Sequence, residues 1–477
     1  MGQTRSGVSR IGGRTARLAL CLLAGAPAAA RAGAPSSTLS VAGLGRVAVY
    51  APAGAPREVV LFVSGDGGWN LGVVAMAERL RDEGALVAGI DIRSFNKTME
   101  AGRACAYPAG ALEELSRSLQ LERHLRAYQR PLLVGYSSGA TLVYAALAAA
   151  PPETFAGAIS LGFCPDLEIH KAPCRLRGLS FTPKKKGVGY DLAPDHALGR
   201  PWVVLQGESD QVCPAPATRA FVSAVGAPAR LVSLPKVGHG FSVMRNWDAS
   251  FVEAFRGIAA ARPGAEPRAA AAPGIEDLSL VELPATGAGD LFAVMLTGDG
   301  GWADIDKGVS AGLTARGVPV VGWSSLGYYW TPRTPEGAAA DLHRIVEHYA
   351  AAWGKPRVLL VGYSFGADVL PFLVNRLPAA DAARVAGVAL LGLSAQAAFE
   401  FHVTSWIGRG SDPRYPTASE IARLRAPTLC VKGADEDDSA CGAVGGGTVR
   451  VQEVGSGHHF GGDYARLAQL ALATAGR

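Results

Sequence analysis

The chain has 477 residues, 49% of them hydrophobic and 18% charged, with a formal net charge of +5. That content excludes a disordered chain and supports more than one buried core, and two globular domains are the default at this length. No stripe of Lys and Arg interleaved with aromatics accompanies the mild charge; the basic cluster "PKKKG" (183–187) reads as a solvated loop, so nucleic-acid binding is not expected.

At the N-terminus Arg5, Arg10, Arg14 and Arg17 precede an apolar run over 18–30, and Ala30-Arg31-Ala32 offers a small-x-small site. This is the order of a secretory signal peptide over residues 1–32, and export is expected. The run is too short to span a bilayer, no later stretch of 18 or more uninterrupted apolar residues occurs, and Leu20 before Cys21 argues against a lipid anchor. Six cysteines follow: Cys105, Cys164, Cys174, Cys213, Cys430 and Cys441. Cys164 with Cys174 and Cys430 with Cys441, close in sequence, are the first bridges to expect. No zinc-type spacing or Cys-x-x-Cys motif occurs, and neither a metal nor another cofactor is expected.

Along the chain, a β-rich apolar run (59–65) leads into Gly65-Asp66-Gly67-Gly68-Trp69. A helical stretch ending at Gly84, the strand "LVAGIDI", an amphipathic helix and a short strand then lead to Gly135-Tyr136-Ser137-Ser138-Gly139. The strand "WVVLQG" ends at Gly207 with Asp210 three residues on, and His239 lies in "VGHGF". Residues 263–274 are Ala, Pro, Gly and isolated charges and read as a linker between domains at 38–262 and 275–477. Past it the order restarts. "FAVMLTG" (292–298) runs into Gly298-Asp299-Gly300-Gly301-Trp302, then come Gly362-Tyr363-Ser364-Phe365-Gly366, Glu436 three residues after Gly433, and His458 in "SGHHF". Positions 65, 137 and 239 thus answer to 298, 364 and 458, with a slow drift of the kind loop-length changes produce. The chain reads as a tandem duplication of one domain of about 200 residues.

Both G-x-S-x-G motifs follow an apolar strand and precede a helical stretch, the context in which such a serine is presented on a sharp turn. The expected architecture is two tandem α/β-hydrolase domains, each a mostly parallel sheet flanked by helices. A nucleophilic serine needs a base and an orienting acid, which in this fold follow it in the order acid, then His. The second domain offers Ser364, His458 and Glu436, with Asp437 and Asp438 as alternatives for the acid; the first offers Ser137, Asp210 and His239 as a second set. The repeated glycine-rich loop suits an oxyanion hole, its donors being the amides of Asp299 and Phe365 in the second copy and of Asp66 and Ser138 in the first. It lacks the Gly-Lys-Ser/Thr ending of a phosphate-binding loop. A carboxylate at Asp299 would oppose an oxyanion if it pointed inward, so it either turns away or meets a cationic substrate. Asp368, one helical turn past Ser364, is a second carboxylate near the mouth where the first copy has Thr141, and an ammonium-bearing substrate would suit the second site. His170 and His402 read as structural, His459 as a lining residue, and Tyr328, Tyr329, Trp330 and Trp406 as core or pocket aromatics.

The stretches "LTGDGGWADIDKGVSAGLTARGVPVVGWSSLGYYW", "VGYSFGADVLPFLVNRLP" and "GSGHHFGGDY" resemble the bacterial virulence proteins of the AcvB/VirJ type, specifically over roughly residues 275–470. The layout with a second domain behind a signal peptide is similar to the long, AcvB-like members. The resemblance implies a periplasmic hydrolase that releases lysine from lysyl-phosphatidylglycerol, with Ser364 as nucleophile, His458 as base, the acid among Glu436, Asp437 and Asp438, and no cofactor. The implied partner is an aminoacylated phospholipid at the membrane surface, and the resemblance also allows a periplasmic protein partner. Two other classes fit the residues: an esterase or lipase acting on another ester, and a non-catalytic partner of a secretion or DNA-transfer apparatus.

Overall fold

The computed structural model describes residues 35–41, 45–100, 105–151, 154–175, 178–261, 274–401, 415–437, 439–444 and 446–476. The signal peptide, the linker up to residue 273, His402, Trp406 and Asp438 lie outside the described residues.

The first sheet contains β1 (Ser37–Val41), β2 (Gly45–Tyr50), β3 (Glu58–Val63), β4 (Ala85–Ile90), β5 (Leu132–Tyr136), β6 (Gly157–Leu161), β7 (Trp202–Gly207) and β8 (Ala229–Leu234), in the spatial order β1-β2-β4-β3-β5-β6-β7-β8. The second contains β9 (Leu280–Leu283), β10 (Leu291–Leu296), β11 (Val320–Trp323), β12 (Arg357–Tyr363), β13 (Val385–Leu391), β14 (Thr428–Lys432) and β15 (Val449–Glu453), in the order β9-β11-β10-β12-β13-β14-β15. Apart from the extra edge strand β1 the two orders are the same. In each sheet the N-terminal edge pairs antiparallel and the remaining ladders are parallel.

The parallel strands are apolar on both faces because helices cover both. In the first domain Val59, Leu61 and Val63 pack with α2 (Pro108–Glu122) and α3 (Ser138–Ala149), while Val60 and Phe62 pack with α1 (Leu71–Asp82) and α4 (Asp248–Ala260). In the second, Val358 and Leu360 face α6 (Pro335–Trp353) and α7 (Phe365–Val374). Leu359 and Val361 face α5 (Asp304–Thr314) and α8 (Tyr464–Thr474). Each half is therefore an α/β-hydrolase domain of three layers.

Two bridges tie the first domain, Cys105–Cys174 and Cys164–Cys213, and one ties the second, Cys430–Cys441. The expected Cys164–Cys174 bridge is corrected: Cys164 leaves the end of β6 and meets Cys213 in the loop after the neighbouring β7, whereas Cys174 meets Cys105 ahead of α2. Strand adjacency, which sequence separation does not report, decides the partners.

The domains touch at α2 and at the segment that follows it. Trp330 donates its indole N–H to the carbonyl of Leu125 at 2.7 Å, and its ring lies 5.3 Å from that of Tyr128.

Candidate active site

β5 ends at Tyr136 and α3 begins at Ser138, leaving Ser137 at the corner with φ 56°; β12 ends at Tyr363 and α7 begins at Phe365, leaving Ser364 with φ 52°. A side-chain-bearing residue occupies that left-handed region only where its surroundings hold it there. Close packing of helix on strand does the holding. A Cβ on Gly366 would lie 2.4 Å from the carbonyl oxygen of Leu296, and one on Gly139 would lie 2.4 Å from that of Val63. Only glycine lets these helices close so tightly behind the serine.

In the second domain Ser364 Oγ lies 2.8 Å from His458 Nε2, and His458 Nδ1 lies 2.5 Å from Glu436 Oε1. The other carboxylate oxygen of Glu436 accepts from the amide of Gly433 at 2.7 Å, which aims the side chain across the end of β14. With its proton on Nδ1, the imidazole donates to Glu436 and leaves Nε2 to accept from the serine. Of the two candidate acids among the described residues, Glu436 is brought to His458 and Asp437 is exposed. Gly392 at the end of β13 makes room for the ring, since a Cβ there would lie 2.7 Å from His458 Cε1. His459 sits behind, 3.3 Å from the Tyr363 hydroxyl, and burial together with His458 holds its pKa below the usual histidine value.

The first domain repeats the arrangement. Ser137 Oγ lies 2.8 Å from His239 Nε2, and His239 Nδ1 lies 2.9 Å from Asp210 Oδ2. Asp210 is held more fully than Glu436, accepting from the amides of Val212 and Cys213 at 2.9 and 2.8 Å and from Gln206 at 3.3 Å. The side chain of His239 is 18% exposed against 42% for His458, so the second site is the more open.

The glycine-rich loops stand beside both serines. A Cβ on Gly65 would come within 2.9 Å of the Cβ of Ser137, and one on Gly298 within 3.5 Å of that of Ser364. Ser138 and Phe365 are the first residues of α3 and α7, so their amides are among those a helix's first turn leaves unpaired. The amides of Asp66 and Asp299 are the partners expected for them as donors.

The two loops differ in what their aspartates touch. The carboxylate of Asp66 accepts from the Ser138 hydroxyl at 2.8 Å, tying loop to helix within the first domain. The Asp299 carboxylate instead meets a residue of the other domain: Arg117 of α2 donates to its Oδ2 at 3.1 Å and to its carbonyl at 3.2 Å. Sequence reading did not single out Arg117, which looks like any cation on an amphipathic helix. Asp368 is buried, and its Oδ1 accepts from the Ser394 amide at 2.7 Å. Burial pushes its carboxyl up to about 8. The Phe365 ring packs against Tyr329 and Phe401 with centroids 5.0 and 4.7 Å away, an aromatic wall where the first site has Ser138.

The model of the bacterial virulence protein VirJ family matches residues 57–160 and 290–476, reaching both domains. No curated protein matches the chain. Among solved structures it is similar to the esterase domain of a Rhodothermus marinus protein (19% identity, 44% of this chain and 90% of that one, TM-score 0.31). It is also similar to an α/β serine hydrolase without a lid from Xanthomonas campestris (20%, 48% and 96%, TM-score 0.33) and to Thermogutta terrifontis esterase 2 (17%, 46% and 93%, TM-score 0.33). With the match spanning more than half of its length, the chain belongs to the VirJ family of bacterial virulence proteins.

Proposed function

We propose that the protein is a serine hydrolase that cleaves the lysyl ester of lysyl-phosphatidylglycerol at the periplasmic membrane surface, giving lysine and phosphatidylglycerol. The observation that carries the hydrolase reading is the unbroken line Ser364, His458, Glu436 at hydrogen-bond distances beside a glycine-rich loop. The resemblance of the second domain to the AcvB/VirJ type supports the substrate, and the N-terminal Arg-then-apolar pattern supports export.

Ser364 attacks the ester carbonyl while its proton passes to His458 Nε2, and Glu436 stabilises the imidazolium. The amides of Asp299 and Phe365 hold the oxyanion. Collapse expels the glycerol oxygen of phosphatidylglycerol, which takes the proton from His458. Water, deprotonated by the same imidazole, then attacks the lysyl-enzyme and returns free lysine and Ser364. On this reading the lysyl ammonium is met chiefly by Asp368, because Asp299 is already engaged by Arg117, and an arriving cation draws the proton off the Asp368 carboxyl.

The test is lysine release from lysyl-phosphatidylglycerol vesicles by the purified protein. Ser364→Ala is expected to reduce release by roughly a thousandfold or more, and Asp368→Ala to reduce it while cleavage of a small neutral ester persists. No release by the intact protein, with neutral esters still cleaved, would leave an esterase of another substrate. Equal loss on both substrates in Asp368→Ala would remove the charge-reading role. A second reading rests on the equally complete Ser137, His239, Asp210 set: the first domain is a hydrolytic centre of its own. Residual hydrolysis of a broad ester panel by Ser364→Ala, abolished when Ser137→Ala is added, would support it.

A further inference from the structure

Arg117 stands in an unusual place for a cation on an amphipathic helix. Its side chain is only 14% exposed, and its guanidinium leaves its own domain to contact Asp299, whose backbone amide is one of the two donors expected for the second oxyanion hole. It grips that residue twice, through the Asp299 carboxylate at 3.1 Å and the Asp299 carbonyl at 3.2 Å, while Glu113, one turn back on α2, holds the guanidinium from behind at 2.7 Å. The Trp330 indole on the Leu125 carbonyl and the Tyr128 ring close the contact at its side. Burial works against the guanidinium, yet the Glu113 and Asp299 carboxylates outweigh it and raise its pKa, so the cation persists.

Two consequences follow for the second site. A side chain and a carbonyl pinned to one rigid fork leave Asp299 little freedom, and its amide stays where the hole needs it. A carboxylate this close to a developing oxyanion would oppose it, and a paired guanidinium cancels that field. The first site needs no such partner, because the equivalent Asp66 is exposed and bonds to Ser138 of its own domain.

We propose that the first domain completes the second site: Arg117 is a positioning residue that clamps Asp299 across the domain boundary and neutralises its carboxylate beside the oxyanion hole. The proposal rests on Ser364 being the nucleophile, and not on the identity of the ester.

The experiment follows phosphonylation of the full-length protein by an alkyl fluorophosphonate, which needs no knowledge of the substrate. Serine attack displaces fluoride, and mass spectrometry of the Ser364 and Ser137 peptides gives the two rates from one sample. Arg117→Met is expected to slow labelling of Ser364 by about 10- to 100-fold, in the range for disturbing one oxyanion donor, and to leave Ser137 within about twofold. Adding Asp299→Asn to Arg117→Met is expected to recover most of the lost rate, because the uncompensated charge is gone. A helix merely glued in place by Arg117 would show no such rescue. An unchanged Ser364 rate in Arg117→Met, or a double variant as slow as the single one, would overturn the proposal. Absence of Ser364 labelling in the native protein would sink the nucleophile assignment, and this inference with it.

Discussion

Asp368 and Thr141 occupy the same position, four residues past their serines, and do the same job with opposite polarity. The Thr141 hydroxyl donates to the carbonyl of Cys164 at 2.7 Å, and the Asp368 carboxylate accepts from the amide of Ser394 at 2.7 Å. In each domain the residue staples the helix behind the nucleophile to the loop after the next strand. For Asp368 the staple has a pH cost. Its carboxyl titrates near 8 when folded and near 3.8 when unfolded, so between those values the folded state keeps a proton that the unfolded state has lost. Folding stability from this group is therefore full below about pH 4 and declines as pH rises toward 8, by on the order of a few kcal/mol. Asn keeps an oxygen for the Ser394 amide and has no proton to lose. The thermal midpoint of Asp368→Asn relative to the native protein is expected to climb between pH 5 and pH 9, and a difference that stays flat with pH would show that Asp368 is ionised throughout.

At the scale of an element, the repeated Gly-Asp-Gly-Gly-Trp loop is a packing unit as well as a donor of hydrogen bonds. Its tryptophan lies flat across a glycine of the neighbouring strand: a Cβ on Gly89 would lie 2.1 Å from the Trp69 ring, and one on Gly322 would lie 2.2 Å from that of Trp302. The last glycine of each loop takes positive φ, 75° at Gly68 and 72° at Gly301, which turns the chain from strand toward helix. The loop is thus anchored from below by an aromatic ring seated in a gap in β4 or β11. Gly322→Ala is expected to cost about 1–3 kcal/mol through overpacking and to slow reaction at Ser364 as Trp302 lifts the loop. Gly300→Ala, where an added Cβ meets nothing within 4 Å, is expected to be close to neutral in both. Equal denaturation midpoints for the two variants would refute the anchoring role.

For the whole molecule, the two domains share a strand order but differ in how they are fastened. The first carries bridges closing 69 and 49 residues, the second one closing 11. In the chain-entropy account the long loops correspond to about 4 kcal/mol each and the short one to about 3. Reduction is expected to lower the calorimetric transition of the first domain more than that of the second. If the second domain's transition falls further, the loop-length account does not hold here. Because α2 carries Arg117, loosening the first domain should also slow Ser364.

What the sequence determined by itself was whatever is written locally and written twice. The duplication, the strand–turn–helix at Ser137 and Ser364, and the Ser, acid, His order could all be read because each motif encodes its own backbone geometry within a few residues. Tertiary structure decided the rest. It chose Glu436 over Asp437 at His458, since only the path of the chain after β14 determines which carboxylate crosses to the ring. It paired Cys164 with Cys213 through the adjacency of β6 and β7. It also brought Arg117 to Asp299, 182 residues along the chain, a contact created by the packing of one domain on the other, which no local pattern in "LEELSRSLQ" encodes.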